Sequence, residues 1–288
     1  MLFVKNVPLS TRGKQMSADI LRILFLGDVV GKSGRALFQK YIDRIRREFE
    51  IDGVVVNGEN SSHGRGITSR TMKFFKHNDV DVVTSGNHVW KNKEIYLYLE
   101  QNKDLLRPAN YPSGCPGTGV TTFSCKGKEV AIINLQGRTF MKDEVTCPFR
   151  AAESILTYLK NKTKIIFIDF HAEASSEKMG LAHYLDGKVS GVLGTHTHIL
   201  TADERILPGG TAYITDLGMA GAFNSMLGMQ KKAVIDRFLT QMPTRFEVDI
   251  KPPFIMTGAY VEVDTTTGRA KKIKSIKIID EDMQIEGA

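Results

Sequence analysis

The sequence predicts an α/β protein whose core is a sandwich of two mixed β-sheets flanked by helices. Two observations favour this fold class. Short apolar runs alternate with amphipathic stretches through the first half of the chain, which is the pattern of parallel strands joined by right-handed crossovers. The tail, Arg245–Ile279, instead alternates strand-like runs around turn residues 265–268, which is typical of antiparallel strands.

The first half of the chain repeats a strand-then-helix pattern. Leu21–Leu26 is largely apolar and of strand length, whereas Ser33–Phe49 carries apolar residues at helical spacing. The pattern then continues with strands at Gly53–Val56 and Val80–Val83 and helices at Thr68–His77 and Lys91–Glu100.

The second half begins with a segment rich in Pro and Gly, Pro108–Gly119, which is predicted to be a loop. A tight turn at residues 126–128 then separates two strand-like runs. The remaining predicted elements are the helix Phe149–Lys160 and the strands Val120–Phe123, Glu129–Leu135, Lys164–Phe170, Val189–Leu193 and Thr211–Ile214.

The chain has 288 residues, and residues 21–288 are predicted to form one compact domain. Residues 1–20 lack a continuous apolar stretch and a small-residue cleavage site, so they are interpreted as an N-terminal extension rather than a signal peptide. No apolar run approaches the ~20 residues that a membrane-spanning helix needs, and no membrane partner is expected.

The composition favours a cytoplasmic protein with reduced cysteines. Cys115, Cys125 and Cys147 form no CxxC pair, which argues against a disulfide framework and against a thiolate zinc site. The formal net charge of +7 suits an anionic substrate or weak attraction to nucleic acid, but no RNA-recognition signature accompanies it.

Polar groups that can bind metals follow five predicted strands at their carboxyl ends. In open α/β sheets this edge is where ligands bind. Each group alone has a structural explanation, because turns, helix caps and hydrogen-bonded histidines are common after strands. Their conjunction is hard to obtain from turn chemistry and predicts one shared site. The segments are Gly27-Asp28, Asn57-Gly58-Glu59-Asn60, Gly86-Asn87-His88, Asp169-Phe170-His171 and Gly194-Thr195-His196-Thr197-His198.

The pair His196 and His198 is the sharpest local signal. Side chains two residues apart point the same way in an extended segment, so each imidazole can serve a different ion of a close pair. Carboxylate, amide oxygen and imidazole together suit Mn, Fe, Zn or Co. The alternative is a surface β pair, which Gly194 and Thr195 disfavour because they indicate a tight approach at the strand end.

The order of these motifs resembles the calcineurin-like metallophosphoesterases, and among them the bacterial YmdB-like branch. The resemblance implies the calcineurin-like fold and phosphodiesterase activity, and it extends from about Ile23 to near Ile279. The motifs are GDVVG, NGEN, GNH, a single H and GTHTH, and the other matching stretches are Arg107–Asn110, Asn134–Phe140, Asp169–Ala174 and Thr211–Met219.

Two departures from the wider superfamily are features of this branch. Most calcineurin-like enzymes begin with Asp-x-His and continue with Gly-Asp, whereas here no histidine follows Asp28 and Glu59 occupies the second position. The resemblance implies two divalent or trivalent ions, with Fe or Mn expected and Zn as the alternative. It also implies the ligands: Glu59 bridges the ions, Asp28, Asn60 and His198 complete the first, and Asn87, His171 and His196 complete the second.

Two ions about 3.5–4 Å apart can clamp a phosphoryl group and generate a bridging hydroxide that attacks phosphorus in line. His88, next to the ligand Asn87, is the candidate general acid, and orienting a ligand is its alternative role. His63 and Arg138 are candidate substrate-binding residues, with loop filling and carboxylate capping as their alternatives. Glu173 is expected to orient a ligand imidazole.

The resemblance implies cyclic nucleotides such as 2′,3′-cyclic AMP as substrates, although no nucleobase signature derives that choice. A different class is a regulatory metal-binding protein that acts mainly through RNA or protein partners, which only the net positive charge supports. A protein phosphatase of the same superfamily is a third alternative, which the short loops disfavour. The sequence leaves self-association into a homo-oligomer open.

Overall fold

The computed structural model describes residues 20–285. The predicted N-terminal extension lies outside the described residues except for Ile20, which begins the first strand and pairs with Asp264. The described strands are β1 (Ile20–Leu26), β2 (Asp28–Val29), β3 (Gly53–Asn57), β4 (Val82–Thr84), β5 (Val120–Cys125), β6 (Lys128–Gln136), β7 (Ile165–His171), β8 (Gly191–Thr195), β9 (Arg205–Ile206), β10 (Ala212–Ile214), β11 (Met219–Ala222), β12 (Phe254–Asp264) and β13 (Ala270–Asp280). The described helices are α1 (Gly31–Phe49), α2 (Ser69–His77), α3 (Ile95–Gln101), α4 (Pro148–Leu159), α5 (Ser175–Tyr184) and α6 (Lys231–Thr240).

The first sheet has the strand order β2–β11–β12–β1–β3–β4, and β13 also pairs with β12. Strands β1, β3 and β4 are parallel, whereas β12 is antiparallel to β1, β11 and β13. The register pairs Leu26 with Val56 and Asn57 with Thr84. The chain therefore leaves β1, β3 and β4 at the same edge of the sheet.

The second sheet has the strand order β5–β6–β7–β8–β10–β9. Strands β6, β7, β8 and β10 are parallel, and the outer strands β5 and β9 are antiparallel to their neighbours. Gln136 lies beside His171, and His171 lies beside Thr195. The carboxyl ends of β6, β7 and β8 are therefore aligned as well.

Apolar side chains build three layers of core around the two sheets. Successive residues of a strand point to opposite faces, so Ile23 and Phe25 face the other sheet while Leu24 and Leu26 face the helices. The rings of Phe25 and Phe167 meet between the sheets at a centroid distance of 5.0 Å. Helices α1, α2 and α3 cover the outer face of the first sheet, and α4 and α5 cover that of the second. The predicted sandwich of two mixed sheets flanked by helices is confirmed.

Polar residues join the two sheets at the edge where the parallel strands end. Asn57 Nδ2 donates to Asp169 Oδ2 at 3.1 Å, and the backbone N–H of Ser85 donates to Asn134 Oδ1 at 3.1 Å. The hydroxyl of Thr84 also donates to the Asp169 carboxylate. These bonds fix the strand ends of one sheet against those of the other.

The structure differs from the predicted elements in several places. Helix α3 begins at Ile95, because residues 91–94 form turns. Helix α6 and the short strands β2, β9 and β11 were not predicted, and no range was predicted for α5. Residues 245–253 are not a regular strand, and β12 begins only after Pro252 and Pro253. Proline has no N–H to donate to a ladder, which explains the late start of that strand. Within residues 20–285, no helix has the length and apolar character needed to cross a membrane.

Candidate metal centre

The seven predicted ligands come together at this shared edge from both sheets. Each of them lies at the carboxyl end of a strand or directly after it, where the predicted pattern placed it. Asp28 follows β1, Glu59 and Asn60 follow β3, Asn87 follows β4, His171 ends β7, and His196 and His198 follow β8.

One group of ligand atoms surrounds the side-chain amide of Asn60. Asn60 Nδ2 lies 3.1 Å from Asp28 Oδ1, 3.2 Å from Glu59 Oε1 and 3.1 Å from His198 Nε2. His198 Nε2 lies 3.6 Å from Asp28 Oδ1. These are the residues that the resemblance assigned to the first ion together with the bridging Glu59.

A second group surrounds Nε2 of His171. This atom lies 3.0 Å from Asn87 Oδ1, 3.0 Å from His196 Nδ1 and 3.3 Å from Glu59 Oε1. One ligand atom from each of Glu59, His171 and His196 can be chosen so that all three lie within 4.8 Å of one another. Oε1 of Glu59 is therefore close to both groups, as a bridging carboxylate must be.

The donor set fits a cation. Three acceptor atoms from Asp28, Glu59 and His198 converge on the Asn60 amide hydrogens, which carry a partial positive charge. Metal ions prefer the same carboxylate and imidazole atoms. Coordination by Asn60 would require its amide to turn, so that the oxygen rather than the nitrogen faces these groups.

The electrostatics of the site also favour positive charge. Burial raises the pKa of Glu59, but the neighbouring His171 and His88 hold the pKa of this carboxyl well below its ordinary value. Burial lowers the pKa of His171, yet the negative Glu59 and Asp28 raise it to about 9. Burial and the positive His171 lower the pKa of His196 to about 3, which leaves that imidazole neutral. The buried carboxylates of Glu59 and Asp28 thus favour positive charge on the groups beside them, which is the sign a metal ion carries.

The absence of a side chain at Gly86 leaves space for the side chains of His171 and Glu59. A Cβ atom at this position would lie 2.2 Å from His171 Cδ2, 2.3 Å from His171 Nε2 and 2.4 Å from Glu59 Oε2. Such distances are far below van der Waals contact, so only glycine allows the chain after β4 to pass this close to the ligand atoms.

Hydrogen bonds behind the ligands decide which nitrogen of His171 faces the site. The hydroxyl of Thr195 donates its proton to Asp169 Oδ1 at 2.7 Å. Toward His171 Nδ1, 3.0 Å away, the same hydroxyl oxygen can therefore act only as an acceptor. His171 therefore carries its Nδ1 proton on this side and presents Nε2 toward the predicted site. A partner on the remote nitrogen is the usual way in which proteins orient a ligand imidazole.

The other two histidines are oriented in the same manner by different partners. His198 Nδ1 donates to the backbone carbonyl of Leu227 at 3.0 Å, which leaves Nε2 for the site. His196 Nε2 lies 3.1 Å from Glu173 Oε2, which leaves Nδ1 for the site. The structure therefore places Glu173 behind His196, in the orienting position expected from the sequence.

His88 lies next to the ligand cluster. Its backbone N–H donates to Glu59 Oε2 at 3.2 Å, and its Nδ1 lies 2.7 Å from Asn60 Oδ1. The imidazole is 24% exposed, so it can exchange protons with solvent. A group that contacts two predicted ligands and also reaches solvent has the location that an acid–base residue needs.

The two candidate substrate-binding residues are less directly connected. His63 is exposed and has a left-handed backbone (φ 52°), and its Nδ1 contacts the neighbouring Ser62 Oγ at 3.2 Å. Arg138 is exposed, and its backbone N–H is held by the Glu177 carboxylate at 3.0 Å. Within the described part of the chain, neither side chain hydrogen-bonds to a predicted ligand, so a substrate contact by either remains a prediction.

Three supporting groups were missed from the sequence: Thr195, Asp169 and the carbonyl of Leu227. The first two could have been found, because Asp169 shares a strand face with His171 at the period of two and Thr195 precedes His196 directly. No sequence signal marks the Leu227 carbonyl, since every residue carries one.

Comparison with known proteins gives consistent matches over most of the chain. A family model described as "YmdB-like protein" matches residues 24–276. A Bacillus subtilis (strain 168) protein named 2′,3′-cyclic-nucleotide 2′-phosphodiesterase is 44% identical over 266 residues, which is 92% of this chain and 100% of that protein.

Two solved structures share the fold. The crystal structure of a hypothetical protein from Thermus thermophilus is 37% identical with a TM-score of 0.84, and the match covers 90% of this chain and 100% of that one. A novel phosphatase from Mycoplasma pneumoniae is 34% identical with a TM-score of 0.85, and the match covers 92% of this chain and 95% of that one. The resemblance predicted from the motifs is thereby confirmed. The chain belongs to the YmdB-like protein family, a branch of the calcineurin-like metallophosphoesterases.

Proposed function

We propose that this protein is a phosphodiesterase that holds two metal ions and hydrolyses cyclic nucleotides such as 2′,3′-cyclic AMP. The observation that carries the proposal is the sharing of Glu59 Oε1 between two groups of ligand atoms, 3.2 Å from Asn60 Nδ2 and 3.3 Å from His171 Nε2. The name of the Bacillus subtilis relative supports the substrate class.

The two groups of distances indicate how the ligands would divide between the ions, with Glu59 common to both groups. Asp28, Asn60 and His198 would hold the first ion, and Asn87, His171 and His196 the second. Two such ions would supply a hydroxide nucleophile near neutral pH and would stabilise charge on the phosphoryl oxygens. Fe or Mn suits this set of carboxylate, amide and imidazole ligands, and Zn is the alternative.

Residues of the chain orient the three imidazoles and supply the proton for the leaving oxygen. Glu173, Thr195 and the Leu227 carbonyl keep the three imidazoles turned toward the site. His88 protonates the leaving oxygen from Nε2 as an imidazolium and is left as a neutral imidazole that keeps its proton on Nδ1. Its partial exposure lets solvent restore the proton after each turnover.

The test is hydrolysis of 2′,3′-cyclic AMP and of an aryl phosphodiester by protein that has been stripped of metal and then reconstituted with Mn or Fe. We expect turnover only after reconstitution, with a ring-opened nucleoside monophosphate as the product. A fully loaded protein that hydrolyses neither compound, yet binds RNA in a salt-dependent manner, would favour the regulatory alternative.

A further inference from the structure

A buried ion pair lies directly beneath the two-histidine segment. Lys178 of α5 and Asp216, which follows β10, are joined by a contact of 2.7 Å between Lys178 Nζ and Asp216 Oδ2. Their side chains are 1% and 0% exposed. Among the Lys and Arg ion pairs of residues 20–285, this is the only one in which both partners are fully buried.

Two further hydrogen bonds of the pair go to the backbone on both sides of His196. Lys178 Nζ donates to the carbonyl of Thr195 at 2.8 Å. Asp216 Oδ2 accepts from the backbone N–H of Thr197 at 3.0 Å, and its Oδ1 accepts from Gly218 N–H at 2.8 Å. The ion pair therefore holds the residue before His196 and the residue after it.

The backbone at both histidines needs such support. His196 has a φ of 104° and His198 a φ of 65°, which is the left-handed region that residues other than glycine rarely adopt. Such conformations persist only where the surrounding structure determines them, and they cluster at functional sites. Thr197, between the two, is the residue whose N–H the Asp216 carboxylate accepts.

Stability alone is a weak reason for this arrangement. Removing two charges from water costs about as much as their attraction returns, and apolar residues of similar volume often replace a buried ion pair without loss of stability. A well-packed apolar pair could not, however, accept the N–H of Thr197 or donate to the carbonyl of Thr195. The specific contribution of the ion pair is that it fixes the positions of these two backbone groups.

We infer that Lys178 and Asp216 are positioning residues that fix His196 and His198 as ligands of the two different ions. This inference rests on the proposed two-metal function, because it concerns how the ligands of both ions are held at once. Neither residue contacts the ligand atoms, and both act through the backbone of residues 195–197.

The test uses two variants of the full chain and measures metal binding rather than turnover. Lys178→Met leaves a buried carboxylate without its partner and should lower both stability and metal affinity. Lys178→Met combined with Asp216→Leu replaces the whole pair by apolar side chains and should recover part of the melting temperature that Lys178→Met loses, because no buried charge is left without a partner. We expect the Mn affinity of the double variant to stay about 10–100-fold below that of the wild type. We also expect its Mn to give a weakened exchange-coupled EPR signal.

Leu159→Ala is the matched control, because Leu159 is buried in the core between α4 and the second sheet, away from the ligands. It should lower the melting temperature and leave Mn affinity unchanged. A double variant that binds two coupled Mn ions with wild-type affinity would overturn the inference and leave the proposed function intact. A wild-type protein that binds no coupled pair would remove the proposed function and the inference together.

Hydrogen exchange provides a measurement that needs no variant. The N–H of Thr197 should exchange slowly in the metal-free wild type, because Asp216 accepts it in a buried position. Exchange of this amide at the rate of an exposed loop would contradict the inference, whatever the fate of the variants.

Discussion

The imidazole of His88 is held by the side chain of Asn60, whose Oδ1 lies 2.7 Å from His88 Nδ1. The Nδ2 atom of the same Asn60 side chain contacts Asp28, Glu59 and His198. The amide therefore links the proposed acid to the proposed ligands of the first ion. If the amide turns to offer its oxygen to an ion, its nitrogen faces His88 Nδ1, and His88 acts as an acid only after this contact is released and Nδ1 is protonated.

His88→Ala is expected to retain both metal ions and to lose turnover by about 10²–10⁴-fold, the usual contribution of a general acid. The reason is that His88 contacts two ligands but is not itself assigned to an ion. Metal analysis of the purified variant, together with its rate on 2′,3′-cyclic AMP, checks this. Glu59→Ala is the comparison and should lose both metal and activity, because its carboxylate is shared. A His88→Ala protein with empty sites would contradict the assignment.

Gly86→Ala should abolish metal binding, because the added methyl would lie 2.2 Å from the His171 ring and 2.4 Å from Glu59 Oε2. Gly114→Ala is the control, since a Cβ at that position meets no atom within 4 Å. Isothermal titration of metal-free protein with Mn should show binding to the control and none to Gly86→Ala. Equal affinity in the two variants would mean that the ligand atoms near His171 do not form the site.

Glu173→Ala should weaken metal binding by about 10-fold or more, because His196 loses the carboxylate that orients it. Glu173 is half exposed, so little loss of stability is expected. Glu153→Ala removes a similarly half-exposed carboxylate from α4 and is the matched control, with unchanged affinity expected. The measurement is competition for Mn against a chelator of known affinity, and an unchanged Glu173→Ala affinity would show that Glu173 does not orient His196 for metal binding.

Thr195→Val removes the hydroxyl that joins His171 to Asp169 while keeping the shape of the side chain. Buried groups left without a partner cost about 1–3 kcal/mol of unfolding free energy, and metal affinity should fall about 10–100-fold. Thr211→Val is the control, because the buried hydroxyl of Thr211 donates to the Val189 carbonyl at 2.8 Å instead. Denaturant unfolding should show similar losses in both variants, whereas only Thr195→Val should lose metal affinity. A similar loss of affinity in both would reduce Thr195 to a structural role.

The sequence could predict that the proposed ligands cluster, because their signal is local. Each follows an apolar strand, and aligned parallel strands end at one edge, so Asp28 and His171 could be brought together without knowing the structure. The supporting contacts depend on how the two sheets face each other. Asp169 accepts a hydrogen bond from Asn57 of the other sheet. The backbone N–H of His196 donates to Asp28, which is 168 residues away in the chain. Such pairings follow from packing, and no local pattern in the sequence encodes them.

The segment after β11 shows the same limit. Leu227 lies in a loop without strand or helix periodicity, yet its carbonyl orients His198. Lys178 gave no signal, and Asp216 stood out only as part of the matching stretch Thr211–Met219. A lysine in a helix and an aspartate after a strand are ordinary surface residues in most sequences. Only their complete burial in the structure distinguishes them.

The most direct test of the central claim is a titration of metal-free protein with Mn that follows bound metal, EPR coupling and hydrolysis of 2′,3′-cyclic AMP in the same samples. Two ions that share Glu59 should bind to one chain, give an exchange-coupled spectrum and restore turnover only as the second equivalent enters. Full activity at one equivalent, or two bound ions without coupling, would contradict a shared carboxylate and the two-metal function built on it.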